Sequence, residues 1–204
     1  MRKIIIIIMA VATISGVSFY AFKSKIPITN YPPQGETIVA FGDSLIEGVG
    51  ATTGMDFPAL LSEKINEPIL NMGASGETTA QGLTRVDEVI AQNPGVVLIL
   101  FGGNDYLHKI PIEETFKNID EIVVKLQSKG AVVILLGIQG GILTDPYEKY
   151  FENIAKSRGT LYIPNVLDGI IGRSKFMDDG IHPNNTGYQK IAEKIYPVLE
   201  KALK

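Results

Sequence analysis

The sequence predicts one α/β domain with a parallel sheet covered by helices on both faces, because strand-like and helix-like segments alternate along it. Five short apolar runs, mostly of β-branched residues, are typical of strands buried on both faces. They cover residues 37–41, 68–72, 96–101, 131–137 and 160–163. The helix-like segments carry apolar residues at helical spacing. They cover residues 56–66, 79–92, 112–129, 145–158 and 183–204.

Composition and charge exclude several classes of function. The chain of 204 residues has a net charge of -3, and its Lys and Arg residues form no cluster outside the N-terminus. Because binding to a phosphate backbone needs a basic surface, we expect no nucleic-acid partner. The sequence has no Cys and two His, which excludes thiolate nucleophiles, disulfides and a His-rich metal site. We expect a monomer that uses neither metal nor cofactor, with an oxygen or nitrogen nucleophile for any covalent chemistry.

The N-terminal residues 1–25 have the composition of an export signal or a membrane anchor. Two basic residues precede an uncharged run over residues 4–22, which as a helix would extend about 28 Å, close to the roughly 30 Å core of a bilayer. The run ends in bulky residues and not in the small residues of a cleavage site, which favours a retained anchor over a cleaved signal. We therefore expect the protein in the cell envelope, anchored or released to the periplasm or extracellular space. The Pro-rich residues 26–35 are predicted to link this segment to a domain over residues 36–204.

Glycine-rich turns follow the first three predicted strands. Residues 42–45 read GDSL, residues 73–76 read GASG and residues 102–105 read GGND. In open α/β sheets, ligands bind outside the carboxyl ends of the strands, so these turns are where a site is expected. Glycine lets backbone N–H groups approach a ligand closely, as the stabilisation of an oxyanion requires.

Two histidines are available as the base that a serine nucleophile needs. His182 has Asp179 three residues before it in a Gly-containing turn, so the carboxylate could orient one ring nitrogen while the other faces a serine. Asp178 is the alternative partner if the turn winds differently. His108 lacks such a partner and is interpreted as a solvated loop residue, so we expect His182 to be the base.

Two serines in these turns compete as the nucleophile. Ser75 would need Gly at the position of Glu77 to match the G-x-S-x-G elbow of other hydrolases, and it fails that test. Ser44 directly follows the first strand at a strand-to-helix turn, where backbone N–H groups are free to donate. We expect Ser44 to be the nucleophile.

These segments together resemble the four sequence blocks of the SGNH (GDSL) hydrolases. The resemblance extends over residues 36–204, and residues 71–85 and 177–184 look most like the bacterial periplasmic acyl-thioesterase, lysophospholipase and arylesterase branch. It implies a flavodoxin-like three-layer sandwich with five parallel strands. It also implies a Ser-His-Asp triad and an acyl-enzyme. The implied residues are the triad of Ser44, His182 and Asp179, with the backbone N–H groups of Ser44 and Gly73 and the side chain of Asn104 as oxyanion donors.

The implied substrates are small acyl esters, thioesters or lysolipids. A carbohydrate O-deacetylase is the alternative, because the same triad serves both, but the absence of Trp leaves no aromatic platform for a sugar. A phosphate-binding module on the same sheet is the alternative if the protein is not an enzyme, although that function leaves Asp179 and His182 without a role. Residues 137–145, GIQGGILTD, are predicted as either a flap over the site or a long connection.

Overall fold

A computed structural model of the chain describes residues 27–140 and 145–204. The predicted export signal or anchor, including residues 4–22, lies outside the described residues, as do residues 141–144 of the predicted flap or connection. Within the described ranges, no helix is both long and apolar enough to cross a membrane.

Five parallel strands form one sheet at the centre of the domain. They are β1 (Thr37–Gly42), β2 (Ile69–Gly73), β3 (Pro94–Leu100), β4 (Val132–Leu136) and β5 (Leu161–Ile163). Their order across the sheet is β2-β1-β3-β4-β5, which is the order of flavodoxin-like folds. Strands β3 and β4 are buried along their whole length and β1 in all but its first residue. The predicted fold class is confirmed.

Helices cover both faces of this sheet. They are α1 (Ser44–Glu47), α2 (Phe57–Ile65), α3 (Thr79–Ile90), α4 (Gly103–Leu107), α5 (Ile112–Gln127), α6 (Pro146–Arg158) and α7 (Asn185–Leu203). Helix α2 packs against α7, and α5 packs against α3 and α6. The chain places β2 on one side of β1 and then adds β3, β4 and β5 on the other side. Because the crossovers are right-handed, α2 lies on the opposite face of the sheet from α3, α5 and α6.

The structure differs from the predicted elements in two respects. Strand β2 is half-exposed and β5 is only partly buried because they lie at the two edges of the sheet, whereas burial on both faces was expected for every strand. The short helices α1 and α4 were not predicted, since four or five residues carry no helical periodicity. Both follow central strands at the carboxyl edge of the sheet, where a site is expected.

The Pro-rich segment before β1 is bound to the domain. Its described part, residues 27–35, has no helix or strand. The Thr29 hydroxyl donates to the Arg158 carbonyl at 2.7 Å, and the Asn30 side chain donates to the Gln127 and Ala131 carbonyls at 2.8 and 3.0 Å. The segment is therefore held against the ends of α5 and α6.

Candidate active site

Ser44 begins α1 directly after β1. The preceding Asp43 caps this helix, because its side chain accepts the Leu45 N–H at 3.0 Å. The Ser44 side chain lines a cavity at the carboxyl edge of the sheet, although the residue is 8% exposed. Its backbone N–H, in the first turn of α1, forms no hydrogen bond with any described residue and is free to donate.

His182 joins Ser44 to Asp179. Its Nε2 lies 3.0 Å from the Ser44 Oγ, and its Nδ1 lies 2.8 Å from Asp179 Oδ2. The other carboxylate oxygen, Oδ1, accepts the backbone N–H groups of Ile181 and His182 at 2.7 and 2.6 Å. This arrangement lets Nε2 take a proton from the serine while the carboxylate fixes the ring.

The turn that carries His182 is closed by backbone contacts. Met177 and Pro183 form an isolated antiparallel bridge, and the Asp178 N–H donates to the His182 carbonyl at 2.9 Å. Asp178 therefore serves the turn through its main chain, while Asp179 supplies the carboxylate that meets the ring. Asn184 then caps α7 by accepting the N–H groups of Thr186 and Gly187.

A long-range contact brings this turn to Ser44. The buried Tyr188, in the first turn of α7, donates its hydroxyl to the Val49 carbonyl at 2.8 Å. Gly50, at a φ of 90°, packs so closely that a Cβ there would lie 2.5 Å from the Pro183 carbonyl oxygen. The loop after α1 and the start of α7 are thus held together.

Two carboxyl groups near Ser44 have shifted pKa values of opposite direction. The hydrogen bond from His182, followed by those from the Ile181 and His182 backbone, lowers the pKa of Asp179 to about 2. Burial raises the pKa of Asp43 from 3.8 to about 7, against the lowering effects of its bond with Leu45 and of the nearby His182. Asp179 is therefore ionised at neutral pH, whereas Asp43 titrates near it.

Asn104 lies in α4, just after β3. Its side-chain nitrogen donates to the Glu77 carbonyl at 2.8 Å, and the residue lines the same cavity as Ser44 and His182. An amide nitrogen has two hydrogens, so one orients the side chain and the other is available to a ligand. The fully buried Asp105 anchors α4 by accepting the Thr79 N–H at 2.9 Å.

The structure does not bring Gly73 into this group. Its N–H donates to the Asn71 side-chain oxygen at 3.0 Å. Neither Gly73 nor Gly76 lines the cavity. The next glycine along the chain, Gly76, has a φ of 79° in a turn closed by the Glu77 N–H and the Ala74 carbonyl. No described residue accepts the Gly76 N–H. Sequence reasoning missed Gly76, although the GASG segment contains both glycines.

The cavity beside Ser44 has a volume of about 590 Å³ and is largely apolar. Leu45, Ile138 and Leu167 form buried parts of its wall. Its rim carries exposed apolar side chains, and these are Tyr106, Leu107, Ile171 and Ile181. An apolar cavity that opens beside a serine hydroxyl suits a hydrocarbon chain attached to a carbonyl group.

The competing candidates lie away from this cavity. Ser75 and His108 are exposed and do not line it. Among residues 27–140 and 145–204, no group of His, Asp and Glu side chains is arranged to hold a metal ion. Of the residues considered from the sequence, the structure therefore brings Ser44, His182 and Asp179 together, and leaves Ser75 and His108 outside this group.

Residues 40–190, which contain this whole constellation, match the GDSL-like Lipase/Acylhydrolase family. The chain belongs to this family. It is an enzyme that hydrolyses ester bonds, and the resemblance seen in the four sequence blocks is confirmed.

Named relatives agree with the family. Esterase TesA of Pseudomonas aeruginosa is 29% identical over 180 residues, which cover 82% of this chain and 90% of the relative. Thioesterase 1/protease 1/lysophospholipase L1 of Escherichia coli is 28% identical over 167 residues, 78% of this chain and 80% of the relative. The crystal structure of esterase EstA from Pseudoalteromonas, inhibited by monoethylphosphonate, superposes with a TM-score of 0.75 at 27% identity, covering 82% of this chain and 98% of that one.

Proposed function

We propose that the chain hydrolyses carboxylic acyl esters or thioesters through a covalent acyl-enzyme on Ser44. The observation that carries the proposal is the hydrogen-bonded series from Ser44 Oγ through His182 to Asp179, at 3.0 and 2.8 Å. His182 Nε2 takes the hydroxyl proton as Oγ attacks the carbonyl carbon, and it returns the proton to the leaving group. Water, deprotonated by the same nitrogen, then releases the acid and restores Ser44.

The negative charge on the attacked oxygen needs donors, and we propose that two of them come from Ser44 itself and from Asn104. The Ser44 backbone N–H is free, and one hydrogen of the Asn104 amide is available in the cavity. For the third donor we propose the Gly76 N–H in place of Gly73. The Gly73 N–H already has an acceptor, whereas Gly76 precedes the residue whose carbonyl contacts Asn104.

The acyl group is proposed to occupy the cavity of about 590 Å³, with its chain against the apolar wall and rim. Two of the relatives carry the names esterase and thioesterase/lysophospholipase, which supports acyl esters or thioesters as substrates. An acetyl group would leave most of this apolar surface exposed to water, so chains longer than acetyl should be favoured.

A substrate series tests the proposal. p-Nitrophenyl esters from acetate to dodecanoate, acyl-coenzyme A thioesters and acetylated xylan are compared at equal enzyme concentration. We expect kcat/KM to rise with chain length beyond acetate. Preference for acetylated xylan over every acyl ester would contradict the proposal and favour an O-deacetylase.

A matched pair of variants tests the location of the acyl chain. Leu107→Ala removes apolar surface from the rim, and we expect KM for a long-chain ester to rise about fivefold while KM for acetate is unchanged. Val124→Ala is the control, because Val124 is similarly exposed but lies on α5 outside the cavity. Equal effects of the two variants would place the chain elsewhere.

A further inference from the structure

Glu77 and Arg85 form a two-pronged ion pair beside the site. Arg85 Nε and Nη2 donate to the two Glu77 carboxylate oxygens at 2.7 and 2.6 Å. With side chains 21% and 15% exposed, it is the least exposed pair of a Lys or Arg with a carboxylate in the described parts of the chain. Paired, planar contacts of this kind fix orientation as well as charge.

Arg85 also reaches the sheet beneath the turn. Its Nη2 donates to the Met72 carbonyl in β2 at 3.2 Å, and its guanidinium carbon lies 5.0 Å from the centre of the Phe41 ring in β1. One side chain thus connects α3, two strands and the turn that contains Gly76.

The main chain of Glu77 makes the contact that matters for the site. Its carbonyl accepts the Asn104 side chain at 2.8 Å, and its N–H closes the turn on the Ala74 carbonyl at 3.3 Å. The side chain of Glu77 is therefore fixed by Arg85, while its backbone orients the amide of Asn104.

The start of α3 does not depend on this ion pair. Thr78 and Gln81 form a complete capping box, and the Asp105 side chain accepts the Thr79 N–H. The helix would therefore begin at the same place without Glu77 and Arg85. What they add is a fixed orientation of the residue before the cap.

We propose that Arg85 is a positioning residue for catalysis, which acts through Glu77 to keep the Asn104 amide aimed at the developing oxyanion. This inference rests on the proposed oxyanion role of Asn104. Without Arg85, the Glu77 side chain is free to turn, the carbonyl shifts, and Asn104 spends less time with its second N–H toward the substrate. Transition-state stabilisation falls while ground-state binding of the acyl chain stays the same.

The first test is the kinetics of Arg85→Gln and Glu77→Gln. We expect kcat to fall about tenfold with little change in KM, a smaller loss than the roughly 10² to 10³-fold that deletion of an oxyanion donor causes. Arg85→Lys, which keeps the charge but not the paired contact, should recover part of the loss. The matched control is Arg158→Gln, because Arg158 pairs with Asp120 at 2.7 and 2.6 Å between α6 and α5, away from the cavity.

The decisive test repeats Arg85→Gln in an Asn104→Ala background. A residue that acts through Asn104 should have no further effect on kcat there, whereas a general loss of structure would lower kcat by the same factor in both backgrounds. If Asn104→Ala itself keeps full kcat, the proposed oxyanion role fails. If Asn104→Ala is impaired and Arg85→Gln is as active as Arg158→Gln, only the positioning role fails.

Discussion

The acid–base side and the oxyanion side of the serine site are built by different means. On the acid–base side, Asp179 and His182 lie within one turn that closes on itself, and the Asp179 side chain is 51% exposed. The donors that we propose for the oxyanion side, Ser44, Gly76 and Asn104, come from three separate segments joined by long-range contacts. Changes on the first side should therefore act locally, while the second side should respond to residues that never touch the substrate.

The largest effect on activity is expected at Ser44 and His182, the two residues that we propose exchange the proton. Ser44→Ala and His182→Ala should each lower kcat by at least about 10⁴-fold, because the first removes the nucleophile and the second removes the base that activates it. The double variant should be no slower than either single variant, since the two side chains act as one unit. Steady-state kinetics of the three proteins check this, and additive losses would mean that they act independently.

The next largest effect distinguishes Asp179 from the adjacent Asp178. Asp179→Asn should lower kcat by about 10² to 10³-fold, less than for a buried orienting carboxylate, because solvent also reaches this group. Asp178→Asn is the matched control and should retain activity within about threefold, since its main chain closes the turn. The reverse order of the two variants would show that the turn winds differently in solution.

On the oxyanion side, Asn104→Ala should lower kcat about 10² to 10³-fold and leave KM nearly unchanged. The reason is that the donor acts mainly on charge that develops in the transition state. Ser75 lies in the turn after β2 but does not line the cavity, so kcat of Ser75→Ala should stay within about threefold of the wild-type value. A rise in KM without a fall in kcat would indicate that Asn104 binds the substrate and not the oxyanion.

This difference between the two sides also decides what could be predicted from sequence. His182 and Asp179 are three residues apart, so their pairing is visible in a local pattern. The choice between Gly73 and Gly76 is different, because it depends on the hydrogen bond from the Gly73 N–H to the Asn71 side chain. That bond exists only in the folded turn, so the sequence does not show it. No periodicity marks the contact between Asn104 and Glu77, which are 27 residues apart.

The secondary structure also shows that local features can be predicted from sequence and long-range ones cannot. The central strands and long helices were predicted because the hydrophobic pattern of each segment records its own burial. The exposure of β2 was not, since its edge position depends on the order of all five strands. The short helix α1 is fixed by one capping side chain, Asp43, and not by a pattern.

The last effect is on stability and not on activity, and it concerns Asp43 and the pH dependence of the unfolding free energy. Its pKa is 3.8 when unfolded and about 7 when folded, so between these values the folded chain keeps a proton that the unfolded chain loses. This contribution to the unfolding free energy is fully present below about pH 4 and is lost as pH rises through about 7. Asp43→Asn, which keeps the helix cap, should abolish it.

Denaturant unfolding of wild type and Asp43→Asn from pH 4 to 8 measures this effect. The difference in unfolding free energy should grow by a few kcal/mol in favour of the variant as pH rises across the window. A difference that is constant with pH would show that Asp43 is ionised across the whole range.

Covalent labelling with a p-nitrophenyl alkylphosphonate tests the central claim, that Ser44 is the nucleophile activated by His182, most directly. We expect one phosphonyl group per active chain, on Ser44 in the peptide map, with loss of activity in step with labelling. Ser44→Ala should not be labelled, and His182→Ala should be labelled far more slowly. An adduct on Ser75, or full activity after inhibitor treatment with Ser44 unmodified, would contradict the account.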